Sequence, residues 1–491
     1  MFTNFLGYVS TKALRVALGT TLAALTAVAL VATSGTAVGQ QGQAPTQPLY
    51  EVHDLGTLEG GAFSYAFGIN QAGKVVGVAS VNELSGSPEQ HPFLYSNGVM
   101  QSLGTLGGPY ADAQDINDAG KVAGTSTTNA EGIEKHAFLY SGGQMQDLDT
   151  LQGHSESFAT AINNKDEVVG LSSMSQGLGE RAFLYSSGVM QDLGTLGGTF
   201  GTIDFGSYAT GINEAGKVVG GAATSNDEVH AFLYSDGVMS DLGTLGGSSS
   251  DARDINEADK VVGSSTTSNN EIHTFLYSGG QMQDLGTLEE PYNSNSFPTA
   301  LNNADQVVGQ SATTEGDFEH PFLYSDGVMR DLNSLIPADS SWELLNVEDI
   351  NDNGYIVGKA QHKEDGREHA FLLTPLTAPY VTDTSPNDGD GKVSRTTEVT
   401  ANFSEEVQQA TLTSANVQLF SGNSKKPVKA TLSPTSTSVT LTPSSKLDAN
   451  TIYRAVVGTG VKDLADNALD QDRDPSNGNQ PKQWTFTTGP R

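Results

Sequence analysis

The chain has 491 residues, with 57 acidic against 25 basic side chains, a formal charge of −32 and no cysteine. Disulfides, thiolate catalysis, thiolate metal sites and a lipidated N-terminal cysteine are therefore excluded, and so acidic a surface repels nucleic acid and anionic lipid. The 56 glycines, set at a regular period with only 18 prolines, read as the turns of an all-β protein rather than as disorder.

Residues 1–39 carry the pattern of a secretory signal. Lys12 and Arg15 precede an uncharged apolar run over 16–32, and Ala37-Val38-Gly39 supplies small residues at the cleavage positions. Cleavage is expected after Gly39, with 40–49 as a linker. The apolar run is at the short end for a span and is interrupted by Thr20, Thr21 and Thr26, so no membrane attachment is expected after cleavage.

From residue 50 to 375 one motif set recurs: Asp-Leu-Gly-Thr-Leu, Ile-Asn, Val-Val-Gly and His-Ala-Phe-Leu-Tyr-Ser. Its Asn falls at Asn70, Asn117, Asn163, Asn213, Asn256, Asn302 and Asn351, at spacings of 43 to 50 residues. Four strand-like runs per copy at that period mark a β-propeller blade. In the copy over 209–245, Asn213-Glu-Ala-Gly216 suits a type I turn and Asp236-Gly237 a two-residue hairpin. Phe232 and Leu233 point to opposite faces, as in a blade buried between two neighbours. The last copy ends at Leu373-Thr374-Pro375 without a fourth strand, whereas 50–58, Tyr-Glu-Val-His-Asp-Leu-Gly-Thr-Leu, is a fourth strand without a blade. Joining the two predicts a seven-bladed propeller closed by its N-terminal strand, which leaves no open edge.

The intact cores at His136–Ser141 and His230–Ser235, with Ile-Asn-x-x-Gly-x-Val-Val-Gly and Asp-Leu-Gly-Thr-Leu-Gly-Gly, resemble the bacterial extracellular HAF-repeat family over 50–375. The resemblance implies a secreted or cell-surface protein and supplies no mechanism. Residues 376–491 differ. Pro379-Tyr-Val-Thr-Asp-Thr-Ser-Pro386, Val399-Thr-Ala-Asn-Phe-Ser-Glu405 and Trp484-Thr-Phe-Thr-Thr488 resemble a bacterial Ig-like domain of the S-layer and envelope type. Short alternating strands over this region suit an Ig-like β-sandwich on their own account. Such domains act as spacers or display stalks.

The recurring His (His91, His136, His230, His273, His320, His369, with Arg181 in the remaining copy) invites a metal reading. One His per blade is too dispersed to converge on one ion, and a hydrogen bond within each blade is expected instead. The recurring Asp of the fourth strand and the Ser of the core are discounted likewise, because catalytic carboxylates come in pairs with distinct environments. No catalytic residue and no cofactor are assigned. Calcium is weighed at Asp388-Gly-Asp390 and at Asp463, Asp466, Asp470, Asp472 and Asp474, which lack an EF-hand spacing.

Function is expected on the irregular loops, which a rigid scaffold displays. The turns after strands one and three are tight and share a face, whereas the other connections are uneven. The longest lies over 197–207. Tyr110, Phe200, Phe205, Tyr292 and Trp342 on that second face are the predicted ligand-binding residues. The leading expectation is an exported, non-enzymatic binding or surface-interaction protein. Its partner would be an extracellular glycan, a cell-wall component or a protein, and its propeller monomeric. The competing expectations are a structural envelope component that assembles with itself and a secreted glycan-active enzyme.

Overall fold

A computed structural model of the chain describes residues 49–490 except 82–88, 175–177, 199–205, 289–294, 314–315, 377, 405–406, 423, 464–466 and 472–478. The chain divides into two compact units, Met1–Pro375 and Leu376–Arg491. The signal-like segment 1–39 and the 40–48 part of the linker lie outside the described residues.

In the first unit six of the motif sets become four consecutive antiparallel strands, hydrogen-bonded in chain order. The first sheet is Ser64–Ile69, Val75–Val81, Glu89–Ser96 and Val99–Ser102. Five more sheets open with Ala111–Ile116, Glu156–Ile162, Ser207–Ile212, Gly246–Ile255 and Ser296–Leu301. The last copy contributes Trp342–Ile350, Ile356–His362 and Glu368–Pro375, and its fourth strand is Tyr50–Asp54. That strand runs antiparallel to Glu368–Pro375, with Asp54 opposite Phe371. The described residues of this unit thus hold seven four-stranded sheets. Each first strand packs against the first strands of both neighbouring sheets, and Trp342–Ile350 packs against Ser64–Ile69. The sheets therefore close a ring with their first strands innermost, the architecture of a β-propeller.

The core repeats with the sequence. The Phe of every copy, from Phe93 to Phe371, is at most 1 % exposed, which makes these rings the main filling between sheets. The hairpin slot between strands three and four takes φ > 0 at both residues, for example 53° at Asp236 and 83° at Gly237. That is the primed turn whose twist matches the flanking strands.

One boundary needs correction. The sequence motif carries the fourth strand through Asp-Leu-Gly-Thr-Leu, but the strand ends at the Asp, as in Val238–Asp241 and Tyr50–Asp54. The Gly that follows adopts φ near +70 to +80° (Gly56 +70, Gly243 +79) and turns the chain toward the next sheet.

The second unit is a sandwich of two four-stranded sheets. One orders Val381–Ser385, Val399–Phe403, Ser438–Pro443 and Ala430–Pro434; the other orders Asp390–Val393, Lys482–Thr488, Ile452–Val457 and Val417–Ser421. Alternate residues of both, among them Val399, Leu419, Tyr453, Trp484 and Phe486, form one buried core.

Candidate functional site

Of the five residues predicted to bind a ligand, Phe200, Phe205 and Tyr292 lie outside the described residues. The other two are partly buried and sit in different sheets, the second and the seventh, with the first sheet between them. Tyr110 precedes Ala111–Ile116, and its backbone N–H and C=O both bond the Thr127 hydroxyl, at 3.1 and 2.9 Å. The Trp342 ring packs on His362 and His369, with centroids 5.0 and 5.4 Å away, and the Arg367 guanidinium lies 5.6 Å from its centroid. The Trp342 ring thus covers its own blade, and the Tyr110 backbone is fastened to the second strand of its own.

The opposite face, made by the Asn turns, is bonded to itself. Each recurring Asn accepts backbone N–H groups of its own turn; Asn213 Oδ1 takes those of Ala215 and Lys217, both at 3.1 Å, and Asn117 Oδ1 takes that of Lys121 at 2.9 Å. Its Nδ2 then donates to the backbone carbonyl of the Asn in the next sheet. The series runs from Asn70 to Asn117 and onward to Asn351, which donates back to Asn70, with every bond at 3.0–3.2 Å. A second closed series lies outside it. The N–H of the residue after each Asn reaches the side chain of its counterpart in the next sheet, through Gln71, Asp118, Asn164, Glu214, Glu257, Asn303 and Asp352, at 2.8–3.1 Å.

The recurring His and Asp explain each other. His Nδ1 meets the fourth-strand carboxylate at 2.8–3.0 Å in His136–Asp147, His230–Asp241, His273–Asp284, His320–Asp331 and His369–Asp54. Where Ser102 replaces the Asp, His91 bonds its hydroxyl at 3.0 Å; where Arg181 replaces the His, it faces Asp192 at 3.8 Å. The same Asp accepts the N–H two residues on, as Asp241 does from Gly243 at 2.7 Å, and so holds the turn where the strand stops. A recurring Ser went unnoticed in the sequence. Ser64, Ser157, Ser207, Ser250 and Ser296 each accept an N–H from the third strand of the preceding sheet at 2.8–3.0 Å. Each then donates to a carbonyl of the connecting turn at 2.5–2.7 Å.

One inner-strand position breaks the repeat. Directly before Ile-Asn or Leu-Asn stand Gly68, Asp115, Ala161, Gly211, Asp254, Ala300 and Asp349, in ring order. Each Asp bridges two blades. Asp115 accepts from Ile116 at 2.7 Å and Ile162 at 2.8 Å, Asp254 from Ile255 at 2.7 Å and Leu301 at 2.8 Å, and Asp349 from Ile350 at 2.7 Å and Ile69 at 2.8 Å. Two positions facing them are crowded: a Cβ on Gly68 would stand 2.9 Å from the Gln114 carbonyl oxygen and 3.0 Å from Asp115 Cα, and one on Gly211 3.1 Å from Asp254 Cα.

Protein encloses these carboxylates, although each retains partial accessibility. Burial pushes Asp115 up to about 6 against the pull of its two N–H donors. It pushes Asp254 up to about 7, with the charges of Asp115 and Glu257 adding to it. Asp349 is raised to about 8 by burial and by the charges of Asp115 and Asp254. Burial also raises Glu348 to about 7, opposed by Asn346, Arg253 and Lys359.

Among the described residues no group of three or more His, Asp or Glu side chains is arranged to hold a metal ion. The described carboxylates of the two acidic clusters weighed for calcium accept backbone N–H groups. Asp388 accepts from the Thr485 N–H at 2.8 Å, Asp390 from Asn387 at 2.8 Å, Asp463 from Asn467 at 2.8 Å and Asp470 from Gln480 at 3.0 Å. Asp466, Asp472 and Asp474 lie outside the described residues. No described helix is long and apolar enough to cross a membrane.

Residues 376–488 match the bacterial Ig-like domain family. No curated protein matches the chain. Among solved structures, the β-propeller domain of the trilobed protease from Pyrococcus furiosus is 10% identical, with a TM-score of 0.43, over 64% of this chain and 98% of that one. An oligogalacturonate lyase from Vibrio parahaemolyticus is 8% identical, with a TM-score of 0.39, over 66% and 93%. A puromycin-hydrolyzing peptidase from Mycobacterium tuberculosis is 12% identical, with a TM-score of 0.42, over 62% and 51%. Likenesses this distant carry no activity across to the chain.

Proposed function

We propose that this is an exported, non-enzymatic surface-interaction protein of HAF-repeat type. In this reading 1–39 is a cleaved signal, 50–375 is a seven-bladed propeller fastened by its N-terminal strand, and the Ig-like domain is a spacer. The propeller meets a glycan, cell-wall or protein ligand through its uneven loop face. One observation carries the choice of face: the Asn-turn face uses its backbone donors in two closed hydrogen-bond series that are nearly the same in every blade. A surface that repeats sheet by sheet offers little to distinguish one ligand from another, whereas the inter-blade loops differ in length and carry aromatics.

The test is a binding screen of the full mature protein against immobilised cell-wall glycans and surface proteins. Replacing Phe200 and Phe205 together by Ala should weaken binding by roughly tenfold or more, about 1.4 kcal/mol, and leave the melting temperature unchanged. A ligand that ignores this change and is lost on altering Gln71 and Asn303 would assign the other face. Absence of any ligand, with self-association through the loop face in sedimentation, would replace this reading with a structural envelope role.

A further inference from the structure

We propose that the propeller's axial space, on the half nearer the uneven loops, binds a single neutral sugar ring. Its wall is built by the inner strands of the fourth to seventh sheets, with Arg253 and Glu348 as the hydrogen-bonding centre. This inference rests on the reading that the loop face meets a glycan.

A structural bond that two sheets give up carries the inference. Three residues before the recurring Asn the inner strand bulges, its register skipping between Ala252 and Asp254 and between Val347 and Asp349. In three sheets the residue there is Thr, whose hydroxyl joins a carbonyl of its own sheet to one on the next inner strand. Thr160 reaches Val169 and Ala209 at 3.1 and 3.0 Å, Thr210 reaches Val219 and Ala252 at 3.2 and 3.0 Å, and Thr299 reaches Val308 and Val347 at 3.3 and 3.2 Å. The fold thus has a residue suited to this position, yet the fifth and seventh sheets carry Arg253 and Glu348. Positions where the sequence departs from what the fold favours are where function is expected.

Both side chains are instead oriented by polar neighbours on their own strands. Arg253 Nε lies 3.3 Å from Asp251 Oδ2, Asp251 takes the Tyr208 hydroxyl at 2.7 Å, and the Asn346 amide donates to Glu348 at 2.9 Å. Burial raises Glu348 and the Arg253 charge opposes that rise, so the two sense each other although the sixth sheet stands between their strands. Neighbouring sheets pack on both sides of each inner strand. The exposure left to the Asp251 and Arg253 side chains, 16 % and 19 %, therefore opens on the axis. On the sixth sheet, between Asp251 and Asn346 in ring order, stands the partly exposed ring of Phe297.

A second observation points to the same wall. Asp251, Ser264 and Thr274 stand opposite one another on adjacent strands and so share a face. Ser264 is partly exposed, whereas its counterparts Val78, Thr125 and Leu171 are buried. Thr274 Oγ1 is buried and has no hydrogen-bond partner among the described residues, at a position where Ala137, Ala182, Ala231 and Ala370 show that the fold needs no hydroxyl. The fifth sheet thus keeps a polar row, beginning at the axis, whose hydrogen-bonding capacity its own packing leaves unused.

The chemistry selects the ligand. Donors on Arg253, Asn346 and Ser264 stand near acceptors on Asp251 and Glu348, and a sugar hydroxyl is both donor and acceptor. Phe297 offers an apolar ring face to the C–H side of a pyranose. An acidic sugar would meet two carboxylates against one guanidinium, with Asp254 and Asp349 next on the same strands, and is repelled.

The probes are the methyl glycosides of glucose, galactose, mannose and N-acetylglucosamine, with glucuronate as the acidic comparison. Titrated into the full mature protein and followed by saturation-transfer NMR, at least one neutral glycoside should bind with a Kd of about 1 mM or tighter. Glucuronate should bind at least roughly tenfold more weakly. Arg253→Thr and Glu348→Thr install the residue that three other sheets carry, so each should keep the melting temperature and weaken the glycoside at least roughly tenfold. Glu348→Gln, which keeps the size of the side chain, should weaken it likewise and serves where a Thr variant fails to fold. Thr299→Ser, which keeps the bulge hydroxyl of the sheet between them, should leave binding unchanged. A neutral glycoside that binds equally to the protein and to both charge variants overturns the axial site and leaves a glycan on the outer loops standing. Absence of binding by every neutral glycoside also overturns it, and the screen of immobilised ligands then decides the wider reading by itself. Glucuronate binding as tightly as the neutral sugars overturns the choice of ligand.

Discussion

At the scale of single residues, the propeller rests on side chains that do one task many times. Phe232 shows the energetic side. It is fully buried between sheets, in a core that holds Ala209, Val218 and Tyr234 of its own sheet and Val169 and Ala182 of the preceding one. Truncation there removes an aromatic ring from a site whose walls belong to paired strands and cannot collapse inward. Phe232→Ala should therefore cost about 3–5 kcal/mol, read as a lower urea midpoint at an unchanged m-value. A loss below about 1 kcal/mol would mean that neighbouring sheets close over the space. The polar repeats work differently. Asn213 and Ser250 each satisfy backbone groups that the ring has buried, whereas His230 holds the exposed Asp241. Such bonds add little net stability, and leaving one partner unsatisfied is the greater cost.

At the scale of elements, closure by Tyr50–Asp54 decides how the seventh sheet survives. Tyr50 is 4 % exposed and joins a core with Leu323, Leu344 and Leu373, and the His369–Asp54 bond at 2.8 Å completes the same pairing seen in other sheets. Deleting residues 50–58 leaves Glu368–Pro375 as an open edge and strips this core of a wall. The propeller should then unfold at a markedly lower temperature and with a broader transition. An unaltered melting profile would show that the ring does not depend on its first strand. The strand order was legible in the sequence because period, hairpin dipeptides and the leftover strand agree with one another. The His–Asp partnership was half legible: both residues recur, but their 11-residue separation becomes contact only when strands three and four pair. The inner aspartates were visible as letters, since Asp115, Asp254 and Asp349 interrupt a series of Gly and Ala. Their meaning was hidden, because a single repeat does not show that each carboxyl reaches the N–H of the following blade. The left-handed glycine that stops the fourth strand early was hidden for a similar reason: Leu-Gly-Thr-Leu is apolar enough to pass for a continued strand.

At the scale of the whole molecule, the acidity is unevenly shared. Residues 1–375 contain 45 acidic and 14 basic side chains, and residues 376–491 contain 12 and 11. Almost all of the excess negative charge therefore belongs to the propeller, and some of it is enclosed around the inner strands. Self-repulsion of that kind opposes the compact state and weakens as salt shortens the Debye length. The nearly neutral Ig-like unit has little such repulsion to relieve. Scanning calorimetry of the full mature protein at about pH 8 should thus show two transitions, and raising sodium chloride from roughly 0.01 M to roughly 1 M should move one of them upward and leave the other nearly fixed. The mobile transition is identified by Phe232→Ala, which lowers the propeller alone. If the salt-sensitive transition were instead the one that Phe232→Ala leaves unchanged, net charge would not be what limits the propeller. If both moved together, general salt effects on burial, rather than the acidity of the repeat, would govern stability.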